Sequence, residues 1–198
     1  MKIQKYTLQH LLFITGMLFC FACTEEQSVE VKVETPKVEK NPFRFYKNIE
    51  VKPGLTFELL SWGKGVDSIG GYQILMSDSV RNNYKSQAVE RNGILTDAWN
   101  MDLDHDGNPE IYVQLQSKKN VLDLNVFEYA RGDFNKISFP SLSSDQKKGY
   151  HGNDKFFMKD GDLFRSFPAK DANDSTKILT KTYLYKLSRN SFSTSEVL

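Results

Sequence analysis

The sequence predicts an all-β domain, an antiparallel β-sandwich with long loops and little helix, and three observations lead there. Aromatic residues make up 13% of the chain, with 14 Phe and 9 Tyr, and together with plentiful β-branched residues they suit a pleated, half-buried surface. Apolar residues recur at every second position in short runs, with almost no helical period. Turn formers such as Pro53-Gly54, Asn92-Gly93, Gly132-Asp133 and Asp160-Gly161 punctuate those runs at steady spacing, the pattern of a sandwich or barrel.

At 198 residues the chain holds one ordinary domain plus appendages, enough to bury a core without staples. Residues 1–22 read as a signal peptide: Lys2 and Lys5 precede an apolar run, Leu11 to Ala22, of signal length and too short to span a bilayer comfortably. Its end, Cys20-Phe21-Ala22-Cys23, resembles a lipobox in which Cys23 is cleaved and lipidated, with Cys20 where Leu is usual. Cys20 would leave with the signal, so the mature chain would keep a single, lipidated cysteine and no disulfide. Losing the two leader lysines takes the formal charge from +1 to −1. A near-neutral chain argues against nucleic acid as a partner. Residues 23–41 alternate Glu, Lys, Val and Thr without a large apolar side chain and read as a flexible tether. Residues 42–198 form the domain. Glu25 and Glu26 resemble the acidic export signal of Bacteroidetes-type lipoproteins, which points to a lipid anchor in the outer membrane or at the cell surface; a solvated linker on a periplasm-facing anchor explains them equally.

Within the domain, Phe43–Val51 and Thr56–Trp62 predict a hairpin through Lys52-Pro53-Gly54. Tyr72, Ile74 and Met76 share one face of a third strand. The glycines around Lys64 lack the ending of a phosphate loop. Ser77–Asn92 is polar and weakly patterned and reads as a long connection. Leu95, Trp99 and Met101 fall on one face of a strand over Ile94–Met101. Farther on, Ile111, Val113 and Leu115 alternate with Glu110, Tyr112, Gln114 and Gln116, so that the first set faces a core and the second faces water. Val121–Tyr129 is the next strand, and Arg131-Gly132-Asp133 is explained by a hairpin turn without appeal to cell adhesion. Pro140–Asp154 is a second long loop. Lys155–Lys159 and Leu163–Phe167 form a hairpin, and Thr180–Leu187 supplies a final strand. No internal repeat stands out.

The stretch Asp102 to Val113 carries the clearest chemistry. Asp102, Asp104 and Asp106 occupy positions 1, 3 and 5 of a calcium-type loop, Gly107 stands at the sharp bend of position 6, Asn108 offers a carbonyl, and Glu110 falls at position 9. Val113 replaces the bidentate glutamate of position 12. His105 takes a place where glycine is common, although His accepts positive φ better than most residues. Two readings remain open on the sequence: a calcium site, or an Asx-rich turn that needs no ion. A transition metal lacks soft ligands here. Catalysis has little support, because His105 and His151 sit in no nucleophile or zinc spacing, and the expectation is a binding protein rather than an enzyme.

Several segments, taken in order, resemble the family of periplasmic inhibitors of invertebrate-type lysozyme in a Bacteroidetes-like lipoprotein form. They are Ser68-Ile69-Gly70-Gly71-Tyr72, the run from Asp102 to Ile111, Val126-Phe127, Gly149 to Phe156, and Phe164-Arg165-Ser166-Phe167-Pro168. The resemblance implies a β-sandwich that inserts a loop into a lysozyme cleft, on a Ser-Gly-x-x-Tyr type motif. Here that stretch is Ser117-Lys118-Lys119-Asn120-Val121, in which only the serine matches. On this reading the partner is a lysozyme-like hydrolase, and Lys118 and Lys119 meet its carboxylates; a solvated basic turn is the other explanation. The alternative function is a calcium-stabilised surface module that binds glycan or another envelope protein. The acidic loop is then expected to orient the strand from Ile111 to Leu115, which delivers the binding edge at Ser117–Val121.

Overall fold

The computed structural model describes residues 42–63, 70–118, 120–171, 174 and 176–197. The expected signal, tether and lipidation site at Cys23, together with Ser68, Ile69 and Lys119, lie outside the described residues.

The domain is all-β and antiparallel, as its composition and alternation require. Among the described residues, twelve strands form three sheets of four. The first contains β1 (Phe45–Lys52), β2 (Leu55–Gly63), β3 (Gly70–Asp78) and β4 (Asn83–Glu90); the second, β5 (Ile94–Met101), β6 (Glu110–Lys118), β7 (Val121–Ala130) and β8 (Asp133–Ile137). The third contains β9 (Lys155–Lys159), β10 (Asp162–Lys170), β11 (Ile178–Ser188) and β12 (Ser191–Val197). Each sheet is a meander in which sequence neighbours pair, so one topology is used three times without a sequence repeat.

Sandwich packing occurs twice, on the two faces of the middle sheet. On one side Phe57, Leu59, Tyr72, Ile74 and Met76 meet Ile111, Val113, Leu115 and Phe127. Phe57 packs edge-on against Tyr129 and Phe134, with centroids 5.6 and 6.1 Å away. On the other side Tyr112, Leu124 and Val126 meet Leu163, Phe167, Tyr183 and Tyr185. Each such side chain contributes about 1.5 to 3 kcal/mol when fully buried.

This arrangement corrects the expectation for β6. Its second face is not wet: Glu110 and Tyr112 are as buried as Ile111 and Val113, because a third sheet covers them. Gln114 and Gln116 are partly covered. The face assignment in β5 is corrected too. A bulge between Leu95 and Asp97 shifts the register, so Leu95 joins the first core while Trp99 and Met101 join the second.

Two strands appear where the sequence showed none. β4 occupies the expected connection and buries no side chain fully; its ladder to β3 holds it in place, and its polar character blunts a sheet edge. β12 follows a tight turn at Arg189-Asn190, both at positive φ (49° and 59°), which contains no glycine to announce it. The Arg131-Gly132 and Asp160-Gly161 turns have the same double positive-φ form, suited to two-residue hairpins.

Candidate metal centre and the adjoining cleft

The acidic loop leaves the end of β5 and returns into β6. Leu103 is buried in the second core and pins the loop from below. Gly107, at φ 85°, makes the bend, and its amide donates to Asp102 Oδ2 at 3.1 Å. The Asn108 amide donates to Asp106 Oδ1 at 2.8 Å, and the Asn108 side-chain amide donates to Asp106 Oδ2 at 2.9 Å. His105 adopts the positive φ (59°) that its position demanded.

Glu110 is the residue that makes this corner more than a turn. It opens β6 and points to the covered face, fully buried, where Leu103 N–H donates to its Oε2 at 2.7 Å. Its Oε1 has no partner. Oxygens of Asp102, Asp104, Asp106 and Glu110 lie within 4.8 Å of one another. Four buried side-chain polar atoms lack partners among the described residues: Asp104 Oδ1, Glu110 Oε1, Tyr112 OH and Trp99 Nε1. All four lie on β5, β6 or the loop between them. Trp99 and Tyr112 stack as a cross-strand pair, 5.7 Å apart and nearly parallel.

The electrostatics agree with the geometry. Burial, followed by the charges of Asp104, Asp102 and Asp106, pushes Glu110 up to about 8, while the Leu103 amide pulls the other way. Glu128, only 5% exposed, faces Glu110 directly across the β6–β7 ladder. Its carboxyl is also raised, first by burial and then by Asp106 and Asp104, against a weaker opposing pull from the Asn190 amide and the Arg131 charge. Like charges opposite one another destabilise a sheet. Five carboxylates therefore gather here, and none of them forms an ion pair with a described side chain.

The donor set suits a hard divalent cation. All candidate ligands are oxygens, and their mutual distances, within 4.8 Å, do not exceed the diameter of a calcium shell with Ca–O of about 2.4 Å. Asp102, Asp104, Asp106 and Glu110 are brought together as the sequence anticipated, with the Asn108 carbonyl as the remaining candidate. Val113 points into the first core and offers nothing to the loop.

The other candidate site lies elsewhere. Ser117 and Lys118 end β6, and Asn120 precedes β7, which opens at Val121, so this stretch and the acidic loop occupy opposite ends of β6, about 26 Å apart for nine strand residues. Its described residues next to β7 are tied down. Asn153 N–H donates to Asn120 O at 2.5 Å, Leu122 N–H to Asp154 Oδ2 at 3.1 Å, and Arg165 donates to Leu122 O at 3.3 Å. Behind it, Asp154 accepts from Arg165 Nε (2.8 Å) and the Tyr150 hydroxyl (2.6 Å), with both charged side chains almost fully buried. This Tyr150–Asp154–Arg165 cluster joins two segments whose spacing in sequence gave no hint that they meet. Lys118 and Asn120 are exposed. No family model, curated protein or solved structure matches this chain.

Proposed function

We propose that this chain is a non-catalytic binding module of the cell envelope, anchored by lipid at Cys23, whose acidic corner holds a calcium ion. The observation that carries the reading is the fully buried Glu110, whose Oε1 is unpartnered and whose carboxylate gathers with three aspartates, an oxygen of each lying within 4.8 Å of the others. Leaving a buried carboxylate oxygen unsatisfied costs about 1 to 3 kcal/mol or more. A cation held by Asp102, Asp104, Asp106, the Asn108 carbonyl and Glu110 would remove that cost. It would also tie the end of β5 to the start of β6. The chemistry supplied is charge neutralisation and oxygen coordination. Exposed His105 and His151 belong to different loops and form no nucleophile–base pair, which supports a binding role over catalysis.

Thermal melting with calcium and with chelator tests this. A ligand bound only by the folded state raises the melting temperature, and identical melts with calcium far above any plausible dissociation constant would refute the ion. Loss of labelling by radioactive palmitate in a Cys23→Ser variant tests the anchor.

Inhibition of an invertebrate-type lysozyme is the second reading. What favours it is that Asn120 and Leu122, held by bonds to Asn153 and Asp154, flank this end of β6, where Lys118 is exposed. An inhibition assay against invertebrate-, chicken- and goose-type lysozymes decides it. No inhibition at micromolar protein removes the reading.

A further inference from the structure

Beside the acidic corner a cleft of about 490 Å³ opens where three turns converge. The acidic loop contributes Asp104, Asp106 and Asn108, the β7–β8 turn contributes Arg131, and the β11–β12 turn contributes Arg189 and Asn190. Asp104 and Asp106 belong both to the carboxylate cluster and to the cleft wall, so an ion held by them borders the cleft. Calcium takes about six to eight oxygens, and the loop offers five residues, with Val113 turned into the other core. With each residue giving one oxygen, as the cluster is arranged, coordination positions are left for an incoming oxygen.

Two further features define what that oxygen belongs to. Arg131 and Arg189 are exposed and make no ion pair or hydrogen bond with another described residue, although carboxylates line the same cleft. Guanidinium groups without a bonded partner next to a cation site suit a carboxylate, which they bind by charge-assisted, bidentate hydrogen bonds. Among the residues lining the cleft, Ala130 alone is apolar, so there is no pocket for a hydrophobic anchor of the kind that peptide partners use. The Asn108 side-chain amide donates one bond to Asp106 Oδ2, and Asn190 lines the cleft beside Glu128. An amide has two N–H groups and a carbonyl, so each keeps a donor and an acceptor, the combination that ring hydroxyls require.

We propose that this cleft binds an acidic saccharide of the uronic-acid type. Its carboxylate lies on the bound cation and on Arg131 and Arg189, and its hydroxyls meet the two amides. The inference rests on the calcium reading of the acidic corner.

The test titrates the full-length chain with trigalacturonate, with the neutral trimer maltotriose and with triglutamate, each with calcium or with chelator, by calorimetry or amide chemical shifts. Arg131→Asn and Arg189→Asn are the informative variants, since both positions have positive φ (54° and 49°), which Asn accepts. The expected result is binding of trigalacturonate in calcium, at least about tenfold weaker in chelator and about tenfold weaker in each variant, or about 1.4 kcal/mol. The calcium-induced rise in melting temperature stays at the wild-type value in both variants. A normal calcium-induced rise without trigalacturonate binding overturns the saccharide proposal and leaves the ion standing. So does equal binding of maltotriose, or tighter binding of triglutamate. Absence of both the rise and the binding overturns both readings, and chelator-insensitive binding of trigalacturonate overturns the role given to the cation.

Discussion

Replacing Glu110 by glutamine separates an ion-binding corner from a tight turn, because the two readings predict opposite signs. Without a cation, burial and the neighbouring aspartates hold the Glu110 carboxyl near 8, against 4.5 in an unfolded chain. Between those values the folded chain carries a proton that the unfolded chain has lost. Stability is therefore full below pH 4.5 and declines as pH rises toward 8. At about 1.36 kcal/mol per pH decade the span sets an upper limit of about 5 kcal/mol; local relaxation lowers this, and about 2 to 3 kcal/mol is expected between about pH 5 and pH 8. For a domain of this size that amounts to a fall of roughly 4 to 12 °C in melting temperature. In the Glu110→Gln variant the side-chain amide keeps an oxygen for the Leu103 N–H and carries no charge, so in chelator at about pH 8 the variant should melt several degrees above wild type. Calcium at about a hundred times its dissociation constant should stabilise wild type by about 2.7 kcal/mol. The variant should gain less, so the order of the two proteins reverses. Differential scanning calorimetry reads this. A wild-type melting temperature that stays flat from about pH 5 to 8 in chelator would refute the argument, as would a variant that melts lower in both buffers.

Three further outcomes follow from the opposite end of β6. Asp154→Ala strands the buried Arg165 guanidinium and should cost about 3 to 5 kcal/mol in urea denaturation; the double variant Asp154→Leu with Arg165→Met should recover part of that loss. Gly152, at φ 82°, has no room for a side chain, since a Cβ would come within 2.5 Å of Asn120 O. Gly152→Ala should therefore cost about 1 to 3 kcal/mol and speed amide exchange at Asn153, whose N–H is bonded to that same oxygen. Lys118→Glu, at the exposed end of β6, should leave stability within about 0.5 kcal/mol of wild type. If the lysozyme reading holds, the same variant weakens inhibition, and unchanged inhibition removes Lys118 from that role.

Most of the strands were legible because alternation is a local signal. β5 and β9 match their expected bounds, and the Pro53-Gly54, Gly132 and Asp160-Gly161 turns lie where the glycines announced them. The failures have distinct physical causes. β4 and β12 are edge strands whose side chains are mostly exposed, so they carry no apolar period, and the Arg189-Asn190 turn achieves positive φ without glycine. The second face of β6 reads as polar because Glu110, Gln114 and Gln116 interrupt it; only the third sheet, supplied by residues far along the chain, decides that this face is covered. The bulge at Leu95/Asp97 is equally non-local. It coincides with Asp97 receiving the Lys47 ammonium at 2.5 Å, a contact between the first and second sheets.

The acidic corner follows from the same burial. Asp102, Asp104 and Asp106 are spaced for convergence whatever the fold, which is why the sequence could name them. Whether Glu110 joins them depends on the direction of its side chain, and in a two-layer sandwich with one wet face it would have relaxed into water. Here the third sheet closes over that face, and the Glu110 carboxyl turns to the loop, where it accepts from the Leu103 N–H, opposite Glu128 on β7. A corner that buries one glutamate, nearly buries a second, and gathers three aspartates beside them is poorly stable by itself. A divalent cation is the simplest species that offsets all of these charges at once, since the arginines across the cleft are exposed and form no ion pair with any of them. At the other end of β6, Leu122 is held by Asp154 and Arg165. Glu110 and Asp154 share no hydrogen-bond partner, so substitutions at the two should add in their effects on stability within about 0.5 kcal/mol; a larger coupling in a double-mutant cycle would mean that the ends communicate through the strand.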